Sequence, residues 1–390
     1  MKIIFNETSK YKLLSLLRYL GDGFFYPFFA LYLAHRGYNE TRIGFLLSIC
    51  PFFAIILNPL YSKFCKNVNV AKKCLGVISI LEGIAIILIA YTTSYNLMIA
   101  FVILLGIFGC CHYGLLDALT SVYSDSANIN YSSIRVYGSF AYILATSIGG
   151  IVVQHISFDA AFIIAMILFS LSGINYLLLK KIDIKDKEEN LEKIRLKDIL
   201  SNGEYIFFAF LYCFLLGTIT STDYFFSTYL ESRGMQASEY GFIFSYFVTF
   251  EVVLLIVFNK CNRKLSSNLL MVIAAISLII RMIANYLYLP LVLIIILSGL
   301  RGVAYACILH VSYQRVINIL GENKATLGIM IMTLLYATYV FAFNNINGYV
   351  ITNYSYQTFY IVNAFIAFLI IIMSLFLFKK PKKSKDEVDV

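Results

Sequence analysis

Twelve long apolar runs divide this chain, and they constrain its fold more than any other feature. The runs are 13–34, 43–62, 74–92, 97–119, 134–154, 158–179, 205–230, 240–258, 268–287, 291–311, 326–350 and 357–378. An α-helix needs about 20 apolar residues to cross a bilayer, and each run has roughly that length. The runs are continuously apolar and do not alternate, which disfavours a transmembrane β-barrel. The pattern predicts an all-α membrane protein with twelve transmembrane helices.

The composition excludes a soluble protein. Of the 390 residues 60% are hydrophobic and only 14% are charged, whereas soluble domains carry about 25% charged residues. The eight cysteines lie in or beside the apolar runs without a Cys-x-x-Cys spacing, as expected of small buried apolar residues. We therefore predict neither a soluble enzyme nor a disulfide scaffold, and no metal site or cofactor.

The positive charges follow the loops between the runs. The net charge is +9, a value that by itself would suggest nucleic-acid binding. Twenty-four Lys and Arg residues fall in one set of alternate loops and termini, and three fall in the other set. Cytoplasmic loops carry such an excess. The bias predicts a multi-pass protein of the cell (inner) membrane with both termini in the cytoplasm. The predicted partner is the lipid bilayer and not nucleic acid.

The two halves of the chain resemble each other. At an offset of 197 residues, nine of the 21 positions from 28 to 48 are identical. The only long charged segment between runs lies at the middle of the chain. These observations predict a duplicated six-helix unit, an arrangement that many transporters use. The predicted parts are an N-terminal bundle at 1–179, a cytoplasmic linker at 180–204, a C-terminal bundle at 205–378 and a cytoplasmic tail at 379–390.

Besides Asp159 at the start of its run, nine charged residues lie within the runs. They are Arg18, Asp22, Glu82, Asp117, Arg135, Asp223, Glu251, Arg281 and Arg301. An ionised side chain at mid-bilayer costs about 2.5–3.5 kcal/mol on insertion scales, so such residues face a cavity or a partner. Five acids against four bases predict ion pairs, with a carboxylate left over to titrate.

Asp117 and Arg135 lie on neighbouring spans, and we expect both side chains to reach one cavity. There they offer a hydrogen-bond acceptor and a bidentate donor to a substrate. Tyr142 follows Arg135 by two helical turns, which places its ring on the same face. Asn345, in a cluster of three asparagines, is a further candidate for binding a hydroxylated ligand.

Three more charged positions yield separate predictions. Arg18 lies near the cytoplasmic end of its span, where a long side chain is expected to reach the membrane surface. Glu82 lies at the centre of its span with no evident partner. Asp22 has only Arg18, one turn away, as a basic neighbour, so it is a candidate proton carrier.

Several segments resemble a known transporter family. The segment 23–33, Gly-Phe-Phe-Tyr-Pro-Phe-Phe-Ala-Leu-Tyr-Leu, is similar to the first span of the lactose permease and other oligosaccharide–proton symporters of the major facilitator superfamily. Segments 116–118 (Leu-Asp-Ala) and 135–138 (Arg-Val-Tyr-Gly) resemble those that carry that family's galactoside-binding acid and arginine. The resemblance implies that Tyr142 stands where that family has a stacking tryptophan.

The resemblance extends to the second half, with two departures. Glu251 and Arg281 are similar to a coupling carboxylate and an arginine of the permease, and Asp223 resembles an aspartate of its seventh span. Arg301 stands where the permease has a histidine, and Ala304 stands where it has a proton-carrying glutamate. The segments around Asp117 and Arg135 are equally similar to the phenylpropionate-permease-like branch.

We therefore predict a monomer that takes up a small organic solute together with protons by alternating access. A sugar or oligosaccharide is the first candidate for the solute. Asp117, Arg135, Tyr142, Arg301 and Asn345 are the predicted substrate-binding residues. The predicted proton-coupling residues are Glu251, Arg281, Asp22 and Asp223, with Glu251 the first candidate for titration. The alternatives are an aromatic-acid permease that holds a carboxylate with Arg135 and Arg301, a nucleoside permease, an uncoupled facilitator or exporter, and a membrane enzyme or sensor.

Overall fold

A computed structural model describes residues 6–65, 67–182, 196–260 and 266–376 of the chain. Fifteen helices lie within these ranges. They are α1 (Glu7–His35), α2 (Glu40–Phe64), α3 (Val68–Tyr91), α4 (Tyr95–Gly109), α5 (His112–Ser126), α6 (Ser132–His155), α7 (Phe158–Leu178), α8 (Leu196–Leu200), α9 (Gly203–Asp223), α10 (Phe226–Ser232), α11 (Ala237–Lys260), α12 (Ser267–Tyr286), α13 (Leu291–Leu320), α14 (Glu322–Asn353) and α15 (Tyr356–Phe376). The all-α prediction is confirmed.

The helices account for the twelve predicted spans. Eleven helical segments within the described ranges are long and apolar enough to cross a membrane, with α4 and α5 together forming one of them. The remaining span is α1, which has 29 residues and contains Pro27 and the charged Arg18 and Asp22. Both charged side chains are buried. The protein shields these groups from lipid, and for that reason α1 can be less apolar than the other spans.

Two spans predicted as continuous are interrupted. The fourth breaks at 110–111, between α4 and α5, and the seventh breaks at 224–225, between α9 and α10. In the last turns of α9, the hydroxyls of Ser221 and Thr222 donate to main-chain carbonyls of their own helix. Such bonds bend helices, and a break follows directly.

The repeat seen in the sequence recurs in the three-dimensional contacts. Arg36 Nε donates to the Tyr32 hydroxyl at 2.9 Å, and Arg233 Nη1 donates to the Tyr229 hydroxyl at 2.9 Å. Each arginine is followed by a glycine, with φ of 80° in the first half and 85° in the second. Glycine adopts this left-handed conformation without steric cost. The first span of each half, α1 in one and α9 with α10 in the other, therefore ends in the same turn, which supports a duplicated unit.

The two bundles touch along one half of their length. On this half α2 packs against α14 and α6 packs against α11. Among the described residues, every side-chain hydrogen bond between the bundles lies here. These bonds include His35–Glu231, Thr41–Thr352, Ser147–Ser245, Gln154–Gln236, Asn344–Leu47 and Tyr356–Glu40. We call this half, where α1 ends and α2 begins, the closed end. The deepest ring contacts between the bundles are Phe52–Phe341 and Tyr142–Phe244.

Glycines allow the helices to meet backbone to backbone at the closed end. Gly44 and Gly348 face each other between α2 and α14, and Gly150 and Gly241 do so between α6 and α11. A methyl group on Gly150 would lie 2.7 Å from the Ala237 carbonyl oxygen and 3.0 Å from Ser238 Cα. Both distances are shorter than van der Waals contact, so any larger residue forces the bundles apart.

Replacing Gly150 with alanine is expected to open the closed end. Overpacking costs about 1–3 kcal/mol, which corresponds to a change of about 5- to 150-fold in the equilibrium between closed and open states. Gln154 and Gln236 bond across this contact, so cysteines at both positions report on it by disulfide crosslinking. We expect slower crosslinking in the Gly150→Ala variant, with the native cysteines replaced.

The matched control is Gly203→Ala, because nothing lies within 4 Å of a methyl group at Gly203. Equal crosslinking rates in the two variants would show that the glycine contact does not hold the bundles together.

Parts of the predicted domain boundaries lie outside the described residues. These are 183–195 of the linker and the whole tail at 379–390. At the described end of the linker, α8 forms one short turn and α9 begins at Gly203.

Candidate functional site

Asp117 and Arg135 form a partly exposed pair in the N-terminal bundle. Asp117 projects from α5 and Arg135 from the first turns of α6, and their side chains are 47% and 38% exposed. Arg135 Nε lies 4.0 Å from Asp117 Oδ1. The Tyr131 hydroxyl donates a hydrogen bond of 2.7 Å to the same carboxylate oxygen. The structure therefore brings together the two residues that were predicted to reach one cavity.

The Arg135 guanidinium has N–H donors that are available for further hydrogen bonds. Its central carbon lies 4.3 Å from the Tyr19 ring centroid, so the plane is supported by an aromatic face of α1. Within the described ranges its only ion pair is the long one with Asp117. Guanidinium carries five N–H donors in a fixed fork. Most of them remain available to a ligand.

Arg135 and Asp117 face the opposite bundle across an accessible gap. Tyr313 of α13 interacts electrostatically with both residues, yet 53% of Tyr313 is exposed. Tyr113 of α5 is 40% exposed although it lies between helices. The bundles are in contact at the closed end and separate towards these residues. We call the space between them the cleft.

Four charged residues of the C-terminal bundle form one network deeper in the cleft. Arg281 Nη1 lies 2.7 Å from Asp223 Oδ1, and Arg301 Nε lies 2.8 Å from Asp223 Oδ2. Arg301 Nη1 lies 2.8 Å from Glu251 Oε2. We call Asp223, Glu251, Arg281 and Arg301 the Arg301 cluster. Its two carboxylates balance its two guanidinium groups, which satisfies all four charges without another ion.

Aromatic rings flank both arginines of this cluster. The Arg301 guanidinium lies 4.5 Å from the Tyr305 ring centroid and 4.9 Å from that of Phe247. The Arg281 guanidinium lies 4.7 Å from the Phe226 ring. The side chains of Arg301 and Glu251 are 11% and 17% exposed, so this edge of the cluster borders the cleft while Arg281 is buried.

Tyr142 lies where the bundles converge. Its ring centroid is 5.8 Å from that of Phe244 on α11, in an edge-on contact. It interacts electrostatically with Asp22 of its own bundle and with Glu251 and Arg301 of the other. The predicted aromatic residue therefore stands at the apex of the cleft, between the charged groups of the two bundles.

The asparagines of α14 mostly bond within the protein. Asn345 Nδ2 donates to the Phe341 carbonyl of its own helix at 2.8 Å. Asn344 donates to the Leu47 carbonyl of α2 at 3.1 Å, and Asn363 of α15 donates to Asn347 at 3.1 Å. Asn344 and Asn347 thus form hydrogen bonds between helices, whereas the hydrogen bond of Asn345 stays within α14.

A second charged network lies inside the N-terminal bundle, and it corrects two expectations. Arg18 does not reach the membrane surface, because it is fully buried and bonds to Glu82 of α3. Glu82 therefore has a partner. Arg18 Nη2 also lies 3.2 Å from Asp22 Oδ1. His112, at the start of α5, places Nδ1 3.2 Å from Glu82 Oε2. We call Arg18, Asp22, Glu82 and His112 the Arg18 cluster.

The sequence matches one protein family, in agreement with this architecture. Residues 9–367 match the family described as MFS_1 like, which is nearly the whole chain. The chain belongs to the MFS_1-like family. It is accordingly a transporter of the major facilitator type, as the resemblance in its motifs implied, and the two six-helix bundles are the fold of that family.

Three curated proteins are similar to the chain. "Uncharacterized transporter YwbF" of Bacillus subtilis (strain 168) is 22% identical over 233 residues, which are 59% of this chain and 57% of that protein. The chain thus spans a little over half the length of that relative. "Probable 3-phenylpropionic acid transporter" of Escherichia coli (strain K12) is 24% identical over 268 residues, 66% of this chain and 69% of that protein. Sucrose permease of Escherichia coli is 20% identical over 396 residues, 95% of this chain and 93% of that protein.

Solved structures agree with the fold of the family. The nucleoside transporter NupG superposes on the chain with a TM-score of 0.82, at 17% sequence identity. The superposition covers 96% of this chain and 100% of that one. At this identity the likeness describes the arrangement of the helices.

The sequence of this family member did not indicate a role for His112. A usable signal was present, since Glu82 and the pair of Arg18 and Asp22 are charges inside predicted spans and must be paired. What the sequence does not contain is the rotation of α3 and α5 about their axes, which turns Glu82 and His112 towards α1.

Proposed function

We propose that this transporter takes up a neutral, hydroxylated organic solute together with protons, and that a sugar or oligosaccharide is the first candidate. The pair of Asp117 and Arg135 carries the proposal, because it is partly exposed, faces the cleft and offers both an acceptor and free donors. Charge-assisted hydrogen bonds of this kind contribute about 1.5–3 kcal/mol each. Tyr142 and the cleft edge of Arg301 complete the proposed substrate site, with Asn345 further along α14.

The net charge of the pair favours a neutral substrate. Asp117 lies beside Arg135, so an anionic substrate approaching the arginine would meet a carboxylate of its own sign. A sugar hydroxyl can donate to Asp117 while a neighbouring hydroxyl accepts from Arg135. An acid and an arginine side by side are thus better suited to a diol than to a carboxylate.

The distribution of Lys and Arg supports an inward-open state in the cell membrane. The basic loops and both termini are assigned to the cytoplasm, and the closed end lies at the opposite ends of the helices. The cleft would therefore face the cytoplasm. Transport then requires that the closed end separate and the other ends meet, which is alternating access between two bundles. One chain contains both bundles, so we propose that a monomer is sufficient.

An aromatic acid is the second candidate. The observation in its favour is that both cleft arginines lie against aromatic rings, Arg135 on Tyr19 and Arg301 on Tyr305. A guanidinium beside a ring can hold a carboxylate and an aromatic group together. The name of the E. coli relative refers to 3-phenylpropionic acid.

Uptake into proteoliposomes tests the proposal. The purified protein is given sucrose and other oligosaccharides, nucleosides or 3-phenylpropionate, with and without an inwardly directed pH gradient. We expect a sugar to accumulate above its external concentration only when the gradient is present, and a protonophore to abolish the accumulation. Empty liposomes provide the control.

Two results would contradict this function. Equilibration of every accepted solute without response to the gradient would indicate a facilitator. Accumulation of 3-phenylpropionate and of no sugar would establish the second candidate.

A further inference from the structure

The Arg18 cluster has more negative than positive charge. All four side chains are 0% exposed. Two carboxylates, Asp22 and Glu82, share the single guanidinium of Arg18, and His112 supplies a positive charge only when it is protonated. An uncompensated buried charge is strongly destabilising. The cluster therefore becomes neutral when it binds one proton, whereas the Arg301 cluster is already neutral without one.

Glu82 is the better satisfied of the two carboxylates. It bonds to both Nη atoms of Arg18, the second at 3.4 Å. It also faces His112 Nδ1 at 3.2 Å. The Tyr176 hydroxyl lies 3.1 Å from the other ring nitrogen of His112 and fixes the ring from α7. His112 Nδ1 also lies 3.2 Å from Arg18 Nη1, so the two bonds from Arg18 are the contacts that stabilise ionised Glu82.

Asp22 is less well satisfied. Its Oδ1 lies 3.2 Å from Arg18 Nη2 but forms no hydrogen bond within the described structure. Its Oδ2 accepts a hydrogen bond of 2.8 Å from the Tyr113 hydroxyl. A fully buried carboxylate oxygen without a hydrogen bond is costly unless a proton occupies it. The geometry thus marks the Asp22 carboxyl, and not that of Glu82, as the group of this cluster that takes up a proton.

We propose that Asp22 binds the transported proton and that the Tyr113 hydroxyl connects it to the cleft. Tyr113 contacts Asp22 and is 40% exposed. The hydroxyl can give its proton to Asp22 Oδ2 while it takes one from a hydronium ion in the cleft. One O–H bond forms for each that breaks, and a water molecule is left in the cleft. Release by the reverse route, after the cleft has changed sides, completes the transfer. This inference rests on the proposed proton-coupled function.

The same tyrosine lies next to the substrate site. Tyr113 precedes Asp117 by one helical turn on α5, and its ring centroid lies 5.8 Å from that of Tyr19. Tyr19 in turn carries the Arg135 guanidinium on its face. One layer of aromatic rings therefore separates Asp22 from the substrate pair. A change in the charge of Asp22 can be transmitted to that pair through the position of Tyr113.

The groups that face Asp22 come from every neighbouring helix. Glu82 extends from α3, and His112 and Tyr113 from α5. From α6, Tyr142 interacts electrostatically with Asp22. Arg135 of the same helix contacts the Tyr19 ring, which lies between it and Asp22. Tyr176 of α7 lies behind His112. On α1 itself the titratable neighbours are Arg18, Tyr19 and Tyr26, and Cys50 of α2 lies next to Tyr26. Of these, Arg18 is the closest compensating charge.

The test is the Asp22→Asn variant in the same proteoliposomes. Asparagine keeps the shape and the acceptor for Tyr113 but cannot take up a proton. We expect accumulation driven by the pH gradient to fall by about tenfold or more, since the coupling free energy is lost. Counterflow, in which labelled substrate exchanges with unlabelled substrate without a gradient, should stay within about twofold of the unmodified protein. Unchanged gradient-driven accumulation would overturn the proposal.

Two further variants keep the outcome decisive. Tyr113→Phe retains the ring and removes the hydroxyl, so gradient-driven uptake should slow while counterflow persists. Equal slowing of both would assign Tyr113 a structural role and refute the relay. Glu204→Gln is the matched control, because Glu204 is an exposed carboxylate paired with Arg315. If the unmodified protein itself shows no response to a gradient, the proposed function fails and the proposal for Asp22 fails with it. A gradient response of the unmodified protein that persists in Asp22→Asn contradicts the assignment of Asp22 alone.

Infrared difference spectra give a readout that does not depend on transport by the variant. When substrate is added to the unmodified protein, the band of a protonated carboxyl group should change. That change should be absent from the Asp22→Asn variant and present in the Glu204→Gln variant. A substrate-dependent carboxyl band that survives in Asp22→Asn would place the proton on another residue.

Discussion

Replacing Arg18 with methionine is expected to lower the free energy of unfolding by about 3–5 kcal/mol, the cost of leaving a buried charge without its partner. Methionine fills a similar volume, so the loss measures charge and not packing. Arg18 is fully buried between Glu82 and Asp22. Without the guanidinium, at least one of these carboxylates must be protonated or remain uncompensated.

The change can be followed by thermal unfolding in detergent. The chain has no tryptophan but has eight cysteines, so a thiol-reactive dye is the suitable probe. The triple variant Arg18→Met/Asp22→Asn/Glu82→Gln has no charge in the cluster and should recover much of the loss, because neutral groups are cheaper to bury.

The control is Arg315→Met, which breaks a partly exposed pair with Glu204. Exposed pairs contribute about 0–1 kcal/mol, so its effect should be small. If Arg18→Met unfolds at the same thermal midpoint as the unmodified protein, the stability of the protein does not depend on the charge of Arg18.

Replacing Asp117 with asparagine is expected to weaken binding of a neutral sugar by about 10- to 150-fold, because a charge-assisted hydrogen bond of roughly 1.5–3 kcal/mol is lost. The thermal midpoint should remain the same, since the side chain is 47% exposed. The direction of the effect separates the two candidate substrates. An aromatic acid should bind more tightly to Asp117→Asn, because the repelling carboxylate is gone.

Arg135→Lys should weaken binding of either substrate. Lysine keeps the charge but not the planar fork of donors. Affinity is measured by equilibrium binding to the purified protein, with Glu204→Gln as the control. Unchanged sugar affinity in both Asp117→Asn and Arg135→Lys would contradict the assignment of this pair to the substrate.

Much of the architecture could be predicted, because the bilayer imposes few choices. A span must be apolar over a known length, and the apolar runs meet that requirement. The pairing of Asp117 with Arg135 was also predictable, since a short loop joins their spans. The ends of the helices were harder to predict. Helix α13 continues to Leu320, beyond the apolar run at 291–311, because a helix can extend into the polar region where hydropathy no longer marks it.

The partners inside the bundles were not predictable in the same way. Arg18 and Glu82 are 64 positions apart, and their contact depends on how two helices are rotated about their axes. Hydropathy is nearly uniform around a buried transmembrane helix, so it does not specify that rotation. For the same reason the sequence did not specify that Arg281 pairs with Asp223.

The glycine contacts at the closed end also affect how easily the bundles separate. Glycine has no side-chain rotamers to lose, so joining the backbones of α6 and α11 costs little side-chain entropy. Around these contacts lie a few buried hydrogen bonds, such as that of Asn344 to Leu47, and a rim of partly exposed polar contacts such as His35–Glu231 and Thr41–Thr352. Exposed ion pairs contribute about 0–1 kcal/mol. The two states of such a gate differ by little free energy, and a bound solute with a modest preference can reverse their populations.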